Sequence, residues 1–505
     1  MGIKLFLLII FFAVMVGVGF YSRRHVKSVD GFVLGGRSVG PWLTAFAYGT
    51  SYFSAVVFVG YAGQFGWKYG IASTWIGIGN ALIGSLLAWV VLGRRTKVMT
   101  QHLRAKTMPD FFGQRYGSKA LKIVASVIVF VFLIPYTASV YNGLSRLFGM
   151  AFNIPYTWCV IAMAVFTAIY VILGGYMATA INDFIQGIIM LFGIVAVIAS
   201  VLNGQGGFME AVSKMAQIPS DVAATMGQPG AFTSFFGPDP LNLLGVVILT
   251  SLGTWGLPQM IGKFYAIKDE KSINTGTVIS TLFAIVISGG CYFLGGFGRL
   301  FDSAEIYNAE TGAVVYDSII PSMLSKLPDI LIGIVVVLVL SASMSTLSSL
   351  VLTSSSTMTL DLLKDNIMKE MSEKKQIITM QILIVFFIVV SVVIALDPPT
   401  FIAQLMGISW GALAGAFLAP FLYGLYWKGV TRAGVWAGFI AGVGITVSNM
   451  FIGYIASPIN AGAAAMVAGL VIVPLVSLVT PKLKKEDVDE IFTCYEEKVV
   501  STKKR

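Results

Sequence analysis

The densest set of potential ligands in the chain is a run of hydroxyls inside an apolar stretch. It reads Ser341-Ala342-Ser343-Met344-Ser345-Thr346-Leu347-Ser348-Ser349, followed by Ser354, Ser355, Ser356 and Thr357. One buried hydroxyl is ordinarily satisfied by a carbonyl of its own helix. A run this dense asks for a further role. On a helix Ser345, Ser348 and Ser349 share one face at i, i+3 and i+4, while Ala342 and Thr346 lie with Ser345 on a second. Hard cations take oxygen ligands, and neutral hydroxyls with free carbonyls supply them to an ion such as Na⁺. Weak charge at such a site suits an ion that must bind and then leave.

Free carbonyls require an interrupted helix, and two apolar stretches are interrupted. One carries Ala47-Tyr48-Gly49-Thr50-Ser51-Tyr52-Phe53-Ser54. The other carries Thr250-Ser251-Leu252-Gly253-Thr254-Trp255-Gly256-Leu257-Pro258, with two glycines, three hydroxyls and a helix-breaking proline. Unwound backbone at membrane depth is tolerated where it lines a cavity. Interruptions at matching positions of two halves point to a transporter's binding site. Ser51, Ser54, Thr250, Thr254 and Trp255 are therefore candidate solute contacts. The plain alternative is that Gly and Pro merely kink two helices. Tyr136, after Pro135, and Gln404 are further candidates, with a packed aromatic and an interhelical hydrogen bond as their alternatives. Asp183 is an acid well inside an apolar stretch, where ionised groups are costly and usually functional. Alternatively, Asn182-Asp183 caps a helix near the cytoplasmic face.

The elements that position these residues are long apolar segments. Of 505 residues, 56% are hydrophobic and 11% charged. Soluble domains carry about 25% charged residues, so this chain could not cover a soluble surface. Thirteen stretches are apolar over roughly the 20 residues that cross a bilayer: about 3–21, 41–65, 70–92, 121–150, 155–173, 178–202, 241–262, 273–297, 329–360, 377–396, 399–426, 433–454 and 459–480. The longest connections, about 203–240 and 298–328, have room for short surface helices. With the N-terminus outside, nearly all of the 34 Lys and Arg fall on cytoplasmic segments, including Lys263, Lys268 and Lys271. Only Lys4, Lys68, Arg146, Lys214, Arg299 and Lys326 fall outside. That asymmetry orients the protein and accounts for its net charge of +10 without nucleic acid. The reading is a multi-pass plasma-membrane protein with a cytoplasmic C-terminus. Residues 1–480 form one transmembrane domain and 481–505 a charged cytoplasmic tail.

The two interrupted segments lie five spans apart, hence run in opposite directions. This is the condition for inverted repeats, over about 41–202 and 241–426, with one helix before and two after. Catalytic and nucleotide chemistry find no support. His25 and His102 lie in basic loops, no GxxxxGK[ST] occurs, and the three cysteines are scattered. No organic cofactor is implied. An ion channel or membrane sensor is the rival class; it would need a continuous pore-lining stripe or selectivity loop.

At these residues the chain resembles the sodium/solute symporter family. The resemblance runs through FVLGGRSVGPWLTAFAYGTSYFSA at 32–55, GGYMATAINDFIQG at 174–187 and GLPQMIGKFYAIKD at 256–269. It continues in MSTLSS at 344–349 and in 407–432. Within the family it is most similar to the proline and pantothenate symporters. The resemblance implies an all-α, leucine-transporter-like fold of about 13 transmembrane helices with a five-plus-five inverted repeat, working by alternating access. It implies a main sodium site at Thr50, Phe53, Ala342, Ser345 and Thr346, and a second at Asp183, Ser345, Ser348 and Ser349. Ser54 and Tyr136 match positions used by proline symporters. Tyr52 stands where those carry an Asp, and Thr250 where they carry an aromatic. The expected partner besides the lipid bilayer is a small carboxylate-bearing solute: an amino acid, a monocarboxylate or a pantothenate-like acid. The oligomeric state is left open, with a monomer as the default.

Overall fold

Backbone N–H and C=O groups in lipid must find partners within their own segment, and long apolar runs with few charges accordingly coil into helices. The computed structural model describes residues 2–25, 27–397 and 399–496, and it is helical nearly throughout. Extended pairing among the described residues is confined to two isolated bridges, Val39 with Ile267 and Tyr307 with Val314. The principal helices are α1 Gly2–Ser22, α2 Pro41–Tyr52, α3 Val56–His102, α4 Lys119–Phe152 and α5 Tyr156–Gly204. There follow α6 Pro240–Leu252, α7 Pro258–Ala266, α8 Glu270–Gly295, α9 Asp329–Ile367 and α10 Glu373–Leu396. The series closes with α11 Ile402–Tyr426, α12 Arg432–Ile452 and α13 Pro458–Val479.

Local sequence sets the starts. Ser118, Asp239, Asp269, Ser372 and Thr431 each accept a hydrogen bond from the backbone N–H three residues on, opening α4, α6, α8, α10 and α12. Eleven helical segments among the described residues are long and apolar enough to cross a membrane. Two of them, α3 at 47 residues and α5 at 49, are twice the length one crossing needs. Each contains a glycine in the left-handed region, Gly70 at φ 62° and Gly175 at φ 53°. At Gly175 a Cβ would press to 2.7 Å from the Phe32 ring, so both the turn and the close approach require glycine. The two long connections do hold short helices, Phe208–Gln217 and Ile319–Ser325. In the tail, Lys485–Phe492 is helical, and Tyr495 just beyond donates to the Leu425 carbonyl at 2.9 Å.

Enclosure sorts the bundle into centre and rim. The apolar window of α11 is 89% buried and that of α9 is 78%, against 28% for α1 and 33% for α10 and α12. The rim presents Phe6, Phe192, Phe451 and Val479 outward, an apolar belt suited to lipid. Within the centre α9 packs on α5 and α4, and α11 on α12 and α13.

Both sequence-predicted breaks are present. At the end of α2 Phe53 is extended, at φ −103° and ψ 129°, before a π-helical stretch over Val56–Tyr61. After α6 the chain makes a tight turn over Gly253–Trp255, Leu257 is extended, and Pro258 opens α7. Pro suits that first position because its missing N–H would have no helical partner there. The segments flanking the breaks meet at a bridge: Val39 N–H donates to Ala266 O at 3.2 Å, and Lys268 N–H to Val39 O at 3.0 Å. Thus α2 begins beside the place where α7 ends.

Two packing features yield predictions. Gly66 on α3 and Gly295 on α8 meet backbone to backbone, and a Cβ on Gly66 would lie 1.9 Å from the Gly295 carbonyl oxygen. Overpacking of this kind costs about 1–3 kcal/mol. We expect Gly66→Ala to lower the thermal midpoint of the purified protein and its yield on size exclusion. Asp317 is buried and accepts from Ile402 N–H at the start of α11, at 3.3 Å. Burial pushes its carboxyl up to about 6, opposed by Arg146 and that N–H. The folded form therefore holds its proton more tightly than the unfolded form. The stabilisation is complete below the ordinary value of 3.8 and is lost as pH rises to about 6. Between ~pH 4.5 and ~pH 6.5 the thermal midpoint should fall more for the wild type than for Asp317→Asn.

Candidate functional site

The break in α2 leaves carbonyls without helical partners, and α9 brings hydroxyls against them. Thr346 Oγ lies 3.4 Å from Thr50 O, 3.4 Å from Ser51 O, 3.1 Å from Phe53 O and 3.1 Å from Ala342 O in its own helix. A hydroxyl has one proton, so it can satisfy only one of these four acceptors. The rest is a knot of converging lone pairs in a region closed to solvent. The adjoining Ser345 hydroxyl is buried and makes no hydrogen bond. Four of the five expected main-site residues, Thr50, Phe53, Ala342 and Thr346, are thus brought together, and Ser345 is the next residue on α9. Their donor set is neutral oxygen throughout, as a weakly held monovalent cation requires.

Other hydroxyls of α9 have separate tasks. Ser343 Oγ accepts from Ala55 N–H at 3.1 Å, satisfying a donor freed by the break. Ser348 Oγ donates back to Ser345 O at 2.9 Å. Ser349 Oγ and Ser51 Oγ share a hydrogen bond of 2.8 Å. Ser54 turns inward on its own segment, accepting from Val56 N–H at 3.1 Å.

Asp183 sits well inside α5, fully buried, eight residues beyond the turn at Gly175. It caps no helix, so the capping alternative does not hold. Neither of its oxygens is in a hydrogen bond. The nearby cation is Lys263 of α7, with Nζ 3.8 Å from the carboxylate. Sequence reasoning placed Lys263 in a cytoplasmic loop as a topology signal; it is in fact 3% exposed. Its ammonium donates to Ser349 Oγ at 3.0 Å and lies 5.2 Å from the centre of the Tyr176 ring. The missed signal was distance: Lys263 follows Pro258 by little more than one helical turn, whereas Lys268 and Lys271 lie beyond the helix end. A cavity leads from Lys106 and Thr107 past Gln259 and Tyr176 to Lys263 and Ser349. The Gln259 amide there is buried without hydrogen-bond partners.

The candidate solute residues divide. Thr250 and Ser51 lie at the breaks, and the Thr250 carbonyl accepts from Tyr52 OH at 2.7 Å, joining one break to the other. Sequence reasoning had weighed Tyr52 only as a departure from a related pattern. Tyr136 packs its ring 5.9 Å from Trp410 of α11, its hydroxyl buried and unbonded. Trp410 also faces Tyr52 at 5.7 Å. Thr254 and Trp255 are committed elsewhere, donating to Gly84 O at 3.0 Å and Ile83 O at 2.9 Å of α3. Gln404 pairs with Thr400 at the start of α11, about 9 Å along the helix from Trp410 at 1.5 Å per residue. The structure does not bring it to the breaks.

With this geometry in place, comparison with known proteins is informative. The model of the sodium:solute symporter family matches residues 32–442. The sodium/proline symporter of Staphylococcus aureus is 30% identical over 496 residues, covering 94% of this chain and 92% of that protein. Among solved structures, a Na⁺-coupled sialic acid symporter, substrate-bound and outward-open, superposes with a TM-score of 0.74 at 15% identity. The match covers 96% of this chain and 99% of that one. Mhp1, a nucleobase-cation-symport-1 family transporter, gives 0.52 at 14% identity, over 91% and 98%. These likenesses give the fold, the all-α leucine-transporter type. By family model and by sequence, this multi-pass membrane chain belongs to the sodium:solute symporter family.

Proposed function

We propose that the chain imports a small carboxylate-bearing organic solute together with sodium by alternating access. The solute class is a proline-like amino acid, a monocarboxylate or a pantothenate-like acid. Symport, not catalysis, is the work of the family, and sodium is its coupling ion. The observation that carries the assignment to particular residues is the Thr346 knot, where one proton faces four carbonyl acceptors. A sodium ion there would be held by Thr50, Phe53 and Ala342 carbonyls with Ser345 and Thr346 hydroxyls. It would bind α9 to the broken α2 and fix the backbone around Ser51 and Ser54. The solute would then lie between the breaks, near Tyr136, Trp410 and the Thr250 carbonyl. Loss of sodium to a low-sodium interior would free α2 from α9 and release the solute.

We further propose thirteen crossings, obtained by joining α2 to the first part of α3 and dividing α3 at Gly70 and α5 at Gly175. The N-terminus would be outside and the tail cytoplasmic in the plasma membrane. The inverted repeats would span about 41–202 and 241–426. On this orientation the cavity from Lys106 to Lys263 is the cytoplasmic exit.

Two experiments test the reading. Proteoliposomes under an inward sodium gradient, offered labelled L-proline, short-chain monocarboxylates and pantothenate, should accumulate at least one of them. An inside-negative potential should increase that uptake, since each inward charge gains about 2.3 kcal/mol per 100 mV. Sodium flux with no accumulated solute from a broader panel would favour the channel instead. Ser345→Ala with Thr346→Ala should raise the half-saturating sodium concentration about tenfold or more, the equivalent of about 1.4 kcal/mol. Thr346→Ser should recover most of the loss. Unchanged sodium dependence in the double variant would refute the site.

A further inference from the structure

The second cluster, Asp183 with Ser345, Ser348 and Ser349, has the composition of a sodium site but already contains a cation. Lys263 Nζ stands 3.8 Å from the Asp183 carboxylate and donates to Ser349 Oγ at 3.0 Å. The Tyr176 ring lies 5.2 Å from it, in reach of a cation–π attraction. Both charged side chains are buried, Asp183 at 0% and Lys263 at 3% exposure. An ammonium group has three donors and no acceptor, so Ser349 accepts from Lys263 while also sharing a hydrogen bond with Ser51. Ser348 is committed to Ser345 O. Of the three hydroxyls, only Ser345 is unbonded, and it is also assigned to the proposed main site. A sodium ion brought to Asp183 would face a like charge a few ångströms away at the same carboxylate, with two of its three hydroxyl ligands already engaged.

We propose that the Lys263 ammonium is the resident cation of the Asp183 cluster, so that this protein binds and couples a single sodium ion. The proposal rests on the main-site reading for that one ion, and the test separates the two. The chemistry is exclusion by charge: the tethered ammonium and a free sodium ion compete for one carboxylate, and the tether fixes the local concentration in favour of lysine. Removing the ammonium leaves an unpaired carboxylate beside freed hydroxyls, which is a site for the diffusible ion.

Equilibrium binding of ²²Na⁺ to the purified full-length protein in lipid nanodiscs, without solute, reads the stoichiometry directly. The wild type should bind one sodium per chain, and Lys263→Met two. Lys263→Met combined with Asp183→Asn should return to one. Two ions on the wild type, or one on a Lys263→Met protein that retains a sharp thermal transition, would overturn the proposal. If Lys263→Met does not fold, Lys263→Gln, which can still hydrogen-bond Ser349, takes its place with the same two outcomes. Adding Thr346→Ala to Lys263→Met should lower two ions to one. If it leaves two, the main-site assignment fails while the role of Lys263 stands.

Discussion

The Thr346 hydroxyl facing the broken end of α2 is the contact on which the rest of the site depends. Breaking a helix inside an apolar bundle frees donors and acceptors, and each one left buried without a partner costs about 1–3 kcal/mol. The hydroxyls of α9 answer that demand one by one. Ser343 takes up the Ala55 N–H, and Thr346 addresses the carbonyls of residues 50, 51 and 53. The match is complete for the donor and incomplete for the acceptors. Under the proposed sodium site, that imbalance of surplus lone pairs would give a cation its reason to bind and would make the fit of α9 against α2 depend on the ion.

The second break is connected to the first by few bonds. Tyr52 OH reaches the Thr250 carbonyl, while Tyr48 OH and Thr254 Oγ both donate to the Gly84 carbonyl of α3. Between them stands Trp410 on α11, against the rings of Tyr52 and Tyr136. Single hydrogen bonds of this kind contribute about 0.5–1.5 kcal/mol net. They hold the breaks in register and are weak enough to be exchanged without unfolding either half, as the proposed alternating access would require.

Much of this was legible in the sequence because it breaks local rules. A polar stretch with Gly and Pro inside an apolar run announces an interrupted helix, and hydroxyls spaced at i, i+3 and i+4 announce a face. What sequence does not show is a partner that lies far away along the chain. Thr254 and Trp255, candidate solute contacts from sequence, donate to the carbonyls of Gly84 and Ile83. Gln404 differs from these, since its side chain pairs locally with Thr400, just before its own helix begins. Lys263 obeyed the rule for a cytoplasmic lysine, and only packing shows that α7 carries it inward to Asp183. The 49-residue α5 is the opposite case: the sequence already parts it into 155–173 and 178–202, and the backbone turns between them at Gly175.

The pair formed by Asp183 and Lys263 is a poor stabiliser. Desolvating two charges commonly costs more than their attraction returns, and at 3.8 Å without a hydrogen bond between them this geometry is loose. Its worth lies in what the ammonium connects. Lys263 on α7 donates to Ser349 on α9, and Ser349 is joined to Ser51 on α2, one residue from the sodium knot. A chain of two hydrogen bonds thus carries the position of α7 to the break in α2. A diffusible ion at Asp183 would leave with each cycle and take that connection with it, whereas a tethered cation persists through both states. In the proposed scheme the single ion left to come and go is the one at Thr346. On this arrangement the fixed charge positions the halves and the mobile charge switches them.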